Sequence, residues 1–447
     1  MADQKLGLFG ALSIAVGGMI GGGVFAVLGV VAQTAGSAAW AAFVGACLVS
    51  LCAAYSSLKL NAHGDNQGGS VAQFQEYLGN QTLAGMVGWT LLFGYVGAIA
   101  MYAYAFGSFT LAIVDVPKQG VIPWHRAIAI AAIAGFVGLN VLGARATGTS
   151  EKVLVVAKVA VLTVFGGLGV WYALTNPGSG VAGTDLELGL SQIRQVSPVV
   201  MATAISFVSF QGWQLLIYDQ DSIRNPLETL PKAIYLSILI TILIDGVIAV
   251  VVTSLAEPTV ITTHPERALA YAVEPLVGHI GFLVVAVAAV FSTGSAINGT
   301  LFSSAHFAKG MLSDDLLPDR VGRAGADGAP DRTLLVLGAL ASLFVAYGSL
   351  DGITSFGSLA FMAVFGAMSY LAFRNRDAVD ASAVPPALGA LGCVTFAPLL
   401  LYHLWSDERH VFYVVLAVSV VVAVLELLYF ERDELADGVE KLEDDLH

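Results

Sequence analysis

Twelve runs of apolar residues, each close to the twenty or so that a helix needs to cross a bilayer, dominate this chain of 447 residues. They fall near 7 to 33, 37 to 60, 81 to 113, 124 to 143, 152 to 175 and 196 to 218, then 232 to 256, 277 to 309, 332 to 349, 352 to 373, 386 to 404 and 409 to 430. With 57% hydrophobic and 12% charged residues and a mean hydropathy of +0.78, little sequence remains for a soluble domain. Backbone groups in lipid must be satisfied within the segment, so runs of this length are read as helices. The expected fold class is an all-α polytopic membrane protein with twelve transmembrane helices.

An even number of spans puts both termini on one side. Taking that side as cytoplasmic gives fourteen Lys and Arg in the inner segments against five in the outer ones, as the positive-inside rule requires. A plasma-membrane protein with both termini inside is therefore expected. The opening MADQKLGLFG has no basic region and leads into a run of full spanning length, so the first span is expected to stay in the membrane. The net charge of -13 argues against nucleic acid as a partner. Residues 431–447 form an acidic cytoplasmic tail with eight acids and two bases. The acidic balance, with 8 Lys against 12 Arg, also suits a halophilic source, where salt screens self-repulsion. Cys47, Cys52 and Cys393 all lie in apolar segments and the histidines form no i, i+4 pair, so no disulfide, metal or cofactor is expected.

Two spans carry weak points. The first contains GGMIGGGVF, with Gly17, Gly18, Gly21, Gly22 and Gly23 where a crossing helix needs strength. It has two readings: local unwinding into a protein-lined cavity, or close helix packing through Gly18 and Gly22. The sixth span places Ser209, Gln211 and Gly212 at a similar depth. Five spans separate the two, and five is odd, so the blocks they begin run through the membrane in opposite senses. That spacing predicts a five-plus-five inverted repeat with discontinuous helices 1 and 6, in which the site lies between them. A half-helix beginning near Gly22 would offer amides to a carboxylate. Freed carbonyls near Met19 and from Val208 to Gln211 would take an ammonium group. The expected organisation is an inverted-repeat core over 7–373, with repeats at 7–175 and 196–373, followed by two additional spans at 386–430.

These residues resemble the amino acid, polyamine and organocation transporter superfamily. IGGGVF (20–25) resembles its first-helix G-[ST]-G-[IV]-F signature, with Gly22 where a hydroxyl is usual. GGSVAQFQEYLG (68–79) is similar to the segment after the second helix, although most of its tyrosines are replaced. SFQGW with IRNPLETLPKAI resembles the sixth helix and the motif after it, and STGSAINGTLFSSAHFAKGMLSDDLLP resembles the eighth helix and its ending. The resemblance implies that Met19, Gly22 and Gly23 bind the substrate backbone with Val208, Ser209 and Gln211. It also implies that Phe93, Gly94 and Ala98 of the third span, and Asn298 and Thr300 of the eighth, border the side chain. Phe210 and Trp213 become candidates for an aromatic gate, with ordinary core packing as the other reading.

Two charges stand well inside apolar runs. Intramembrane charge is costly and points to function by default. Lys158, in the fifth span, either snorkels to the interface or works in coupling. The resemblance favours coupling, since a fifth-helix lysine in proton-coupled members occupies the place of an ion held elsewhere between helices one, five and eight, with Ser292 and Thr293 nearby. Asp245, in the seventh span, has three readings: a proton carrier, a partner for Lys158, or a group bound to the backbone. The sequence thus predicts a secondary active amino acid transporter, proton-coupled, working by alternating access with a midplane site. No acid stands out in the third, sixth or eighth span, which favours a neutral substrate. A sodium-coupled symporter or an exchanger of the same fold is the alternative, as is a non-transporting sensor. No HExxH, GxSxG or Walker A pattern occurs, so an enzyme is not expected.

Overall fold

The computed structural model describes residues 5–64, 69–114, 123–142, 148–176, 186, 188–194, 196–218, 220–313, 316–317 and 331–430. The acidic tail, Gly68, the Asp314 to Asp315 pair and several counted cations (Lys118, Arg145, Arg320, Arg323, Arg432 and Lys441) lie outside the described residues. Every regular element among those described is helical. Helices occupy each of the twelve expected stretches, and nine helical runs are long and apolar enough to cross a membrane by themselves. One of these, Leu8–His63, joins the first two expected spans. The chain is a polytopic helical membrane protein.

The first span is built from α1 (Leu8–Gly22), a π-helical turn (Gly23–Val27) and α2 (Leu28–Ala35), followed by α3 (Ala39–His63). After a short α4 (Gly69–Leu78) come α5 (Gln81–Val114), α6 (Trp124–Val141) and α7 (Gly148–Thr175). A one-turn α8 (Leu190–Ile193) precedes the sixth span, which comprises α9 (Val196–Ser206), a 3₁₀ stretch (Phe207–Gln214) and α10 (Leu215–Tyr218). Next are α11 (Pro226–Leu255), the short α12 (Pro258–Thr263), α13 (Ala268–Ser313), α14 (Asp331–Tyr347), α15 (Leu350–Arg374), α16 (Val384–Ser406) and α17 (Arg409–Phe430).

Local chemistry sets several of these limits. Asn225 sits in the left-handed region at φ 46° and Pro226 occupies the first turn of α11, so IRNPLETLP ends one helix and starts the next. Gly278, at φ 67°, bends α13 two residues into the expected eighth span. Ser349 caps α15 by accepting the Gly352 amide at 2.9 Å. The first and sixth spans are tied at one end, where the Leu6 amide bonds Ser222 O at 2.7 Å and the Arg224 amide bonds Leu6 O at 2.8 Å. The entry of α1 therefore lies beside the exit of α10, and the two spans run in opposite senses.

The core is one large apolar cluster to which α1, α5, α11 and α13 contribute, with a smaller one formed by Phe356, Leu404, Val411 and Val415. Outward faces of α6, α7, α11, α13, α16 and α17 present many exposed apolar side chains, among them Leu139, Val153, Trp171, Leu243, Ile280, Leu391 and Val420. Exposed leucine and valine in such numbers on outward faces are explained by contact with lipid rather than water.

Candidate functional site

The glycine cluster of α1 is the point on which four other elements converge. A Cβ at Gly18 would stand 3.3 Å from the Gly212 Cα of the 3₁₀ stretch, and one at Gly212 would stand 2.7 Å from the Met19 amide nitrogen. Gly21 faces Ala296 and Ser292 of α13, Gly22 faces Tyr102 and Met101 of α5, and Gly23 faces Asp245 of α11 and Ser209. Each glycine admits a different neighbour, which satisfies the close-packing reading of the cluster.

The expected unwinding takes another form. Gly23 has φ −57° and ψ −69°, and its amide bonds Met19 O, so helical geometry continues through the cluster. The chain changes pitch instead, from α to π at Gly23–Val27, while the sixth span changes from α to 3₁₀ over eight residues. Runs of 3₁₀ helix beyond three or four residues are uncommon, and both forms mid-helix are associated with hinges and functional sites. Glycine weakens the helix at these points, and the packing of neighbours accompanies a change of pitch rather than an opening.

Polar side chains collect at this crossing. Tyr102 of α5 donates to Gly18 O at 3.4 Å and accepts from Gln211 Nε2 at 3.1 Å. Gln214 Nε2 is shared between Gln211 Oε1 at 3.3 Å and the Tyr95 hydroxyl at 3.2 Å. Beyond Gln214 a small cavity, with room for about one water molecule, is bordered by Ser57, Ser70, Gln73 and Tyr218. Gln73 then reaches Asn61 Oδ1 at 3.4 Å, and Asn61 Nδ2 donates to Gln220 Oε1 at 2.8 Å. A buried polar file thus leads from the α1 crossing to the end where α1 enters and α10 leaves. Tyr95 and Gln214 were not singled out from the sequence. Both sit at helical spacing from marked residues, Tyr95 three before Ala98 and Gln214 three after Gln211.

Lys158 of α7 is buried, 4% exposed, and its ammonium donates to Gly17 O at 2.7 Å. It is held against α1 rather than extended to an interface. Ser292 lies beside Gly21 with its hydroxyl unpartnered, whereas Thr293 bonds Ala289 O of its own helix at 2.7 Å. Asp245 is fully buried, and neither carboxylate oxygen has a hydrogen-bond partner.

Met19, Gly22, Gly23, Ser209 and Gln211 all meet at the crossing. Val208 is buried beside them, its amide bonded to Ser358 Oγ of α15 at 3.0 Å. Two of the third-span residues point elsewhere: Gly94 packs on Ala360 and Phe361 of α15, and Phe93 stacks on Trp89 and joins the cluster with Phe356 and Val411. Ala98 is buried between Gly94 and Tyr102, one helical turn from each. Asn298 faces α6, accepting from Asn140 Nδ2 at 2.8 Å, and Thr300 is buried in α13. Phe210 and Trp213 are both buried; the indole of Trp213 donates to Ser50 Oγ at 3.1 Å and its ring lies 4.9 Å from that of Phe365. Trp213 and Phe365 also line the small cavity beyond Gln214.

A family model described as amino acid permease matches residues 6–425. An uncharacterized protein of Methanocaldococcus jannaschii, MJ0609, is 29% identical over 434 residues, covering 96% of each chain. The inner membrane transport protein YbaT of Escherichia coli is 26% identical, over 95% of this chain and 96% of its own length. The serine/threonine exchanger SteT of Bacillus subtilis is 23% identical over 70% of this chain and 69% of its own.

Proposed function

We propose, from the premise that this chain belongs to the amino acid permease family and is an amino acid transporter, that it is a secondary active, proton-coupled transporter of the plasma membrane with both termini cytoplasmic. In this reading twelve spans form a five-plus-five inverted repeat, and the amino acid binds at the midplane between the π turn of the first span and the 3₁₀ stretch of the sixth. The observation that carries it is the meeting of those two distortions at Gly23 and Ser209, beside the close contact of Gly18 with Gly212, in helices running in opposite senses.

In this reading the tight crossing belongs to a closed state. Opening parts the 3₁₀ stretch from α1, loosens the π turn, and exposes main-chain groups to the carboxylate of the cargo. Lys158 couples this motion to a proton: while its ammonium holds Gly17 O, α1 is tied to α7, and loss of the proton weakens that tie. Met19, Gly22, Gly23, Val208, Ser209 and Gln211 contact the cargo, and Tyr102 sets the position of Gln211. Exchange is the second reading, favoured by the likeness to a serine/threonine exchanger. The test is uptake of the twenty amino acids into proteoliposomes under imposed pH or sodium gradients, with counterflow in the absence of either. Uptake driven by the pH gradient supports the proposal. Counterflow without driven uptake would replace symport by exchange, and binding without any flux would make the protein a sensor.

A further inference from the structure

Asp245 carries a demand that the closed state does not meet. A buried carboxylate without a hydrogen bond is among the costliest groups a membrane core can hold, and it persists where some stage of function supplies a partner. Among the described residues it has no ion pair, and the titratable neighbour from α3 is the Cys47 thiol. Its position is specific. A Cβ at Gly23 would lie 2.5 Å from Asp245 Oδ2 and 3.2 Å from Ser209 Cβ, so the carboxylate, the π turn and the 3₁₀ stretch meet at one point.

Two more unpartnered groups belong to the same place. The Ser209 hydroxyl is fully buried without a hydrogen bond, and so is that of Thr241, one turn before Asp245 on the same face of α11. Meanwhile two of the carbonyls expected to take an ammonium group, and two beside them, already accept hydrogen bonds. Met19 O holds the Gly23 amide, Gly18 O takes Tyr102, Gly17 O takes Lys158, and Phe210 O takes Ser50. An arriving ammonium finds further acceptors, without any partner, on side chains. It brings three N–H donors, and Asp245, Ser209 and Thr241 offer four unpartnered oxygens, two of them on the Asp245 carboxyl group. A carboxylate or phosphate would be repelled there. A divalent metal needs six or more oxygens, and no cluster of metal-ligating side chains occurs among the described residues.

We infer that Asp245, with Ser209 and Thr241, is the receptor for the ammonium group of the cargo, so that a primary amine is the indispensable feature of what this protein carries. The inference rests on the proposed amino acid transport and adds that the amine outweighs the carboxylate in recognition. It also supplies the pocket acid that the sequence did not place in the site.

The test uses the full chain purified in detergent. The twenty amino acids are screened by thermal stabilisation, and the best binder is compared with its own decarboxylated amine and its deaminated acid. Wild-type protein should bind the amine much more tightly than the acid. Asp245→Asn, nearly isosteric, should weaken both amino acid and amine by about thirtyfold or more, and Ser209→Ala should weaken them by about tenfold. A merely structural role for Asp245 would lower every ligand alike and leave the amine-to-acid ratio unchanged. If Asp245→Asn does not fold, Ser209→Ala and Thr241→Val carry the same ratio test. Affinity in Asp245→Asn within twofold of wild type, or wild-type binding of the deaminated acid as tight as that of the amine, overturns the inference alone. Wild-type protein that binds none of the twenty amino acids overturns it together with the transport reading.

Discussion

Replacing Gly212 by alanine puts a methyl group into the contact between the first and sixth spans. That carbon would stand 2.7 Å from the Met19 nitrogen, 3.0 Å from the Gly18 carbonyl carbon and 3.1 Å from Ala15 O, all backbone atoms of α1. Ordinary contact begins at 3.4 Å, so the two helices must separate by about 0.7 Å, and no side chain can rotate away to absorb the shift. Overpacking of this kind costs about 1–3 kcal/mol. The reciprocal change, Gly18→Ala, meets the Gly212 Cα at 3.3 Å and needs about 0.1 Å, for a cost below about 1 kcal/mol. Gly246→Ala meets nothing within 4 Å and gains up to about 1 kcal/mol of helix propensity. Thermal unfolding of the purified protein, followed by fluorescence, should rank the three variants Gly246→Ala, Gly18→Ala, Gly212→Ala from most to least stable. Equal midpoints for Gly212→Ala and Gly18→Ala would refute the tight crossing on which the site is built.

Lys158→Ala should abolish uptake driven by a pH gradient while the unfolding midpoint shows that the protein stays folded; unchanged uptake in proteoliposomes would move coupling to another residue. Tyr102→Phe removes the hydroxyl between Gly18 O and Gln211, and should destabilise by about 1 kcal/mol and weaken amino acid binding, read by thermal shift with and without ligand. Ser349→Ala removes the cap of α15, far from the crossing, and should cost about 1 kcal/mol with uptake kinetics unchanged.

The span positions were legible because apolar length is the strongest signal a membrane chain carries, and the interruptions were legible because glycine clusters mark them. The form of the interruption was not. Glycine both weakens a helix and admits close neighbours, and only the arrival of Tyr102, Asp245, Ser292 and Gly212 at successive glycines selects a change of pitch over unwinding. Rotational phase was also hidden. The third span is apolar around its whole circumference, so nothing in its pattern says that Tyr95 and Tyr102 face the crossing while Phe93 and Gly94 face α15 and its neighbours. Asn298 shows the same difficulty on α13, where its amide pairs with Asn140 of α6. Lys158 and Asp245 needed no phase, because charge within an apolar run is conspicuous in any register.

A structure of the protein with its tightest-binding amino acid tests the account most directly. The account predicts ligand density between the π turn at Gly23 and the 3₁₀ stretch at Ser209 to Gln211, with Gly18 and Gly212 no longer in contact. Ligand bound at any other place, with that crossing intact, would contradict it.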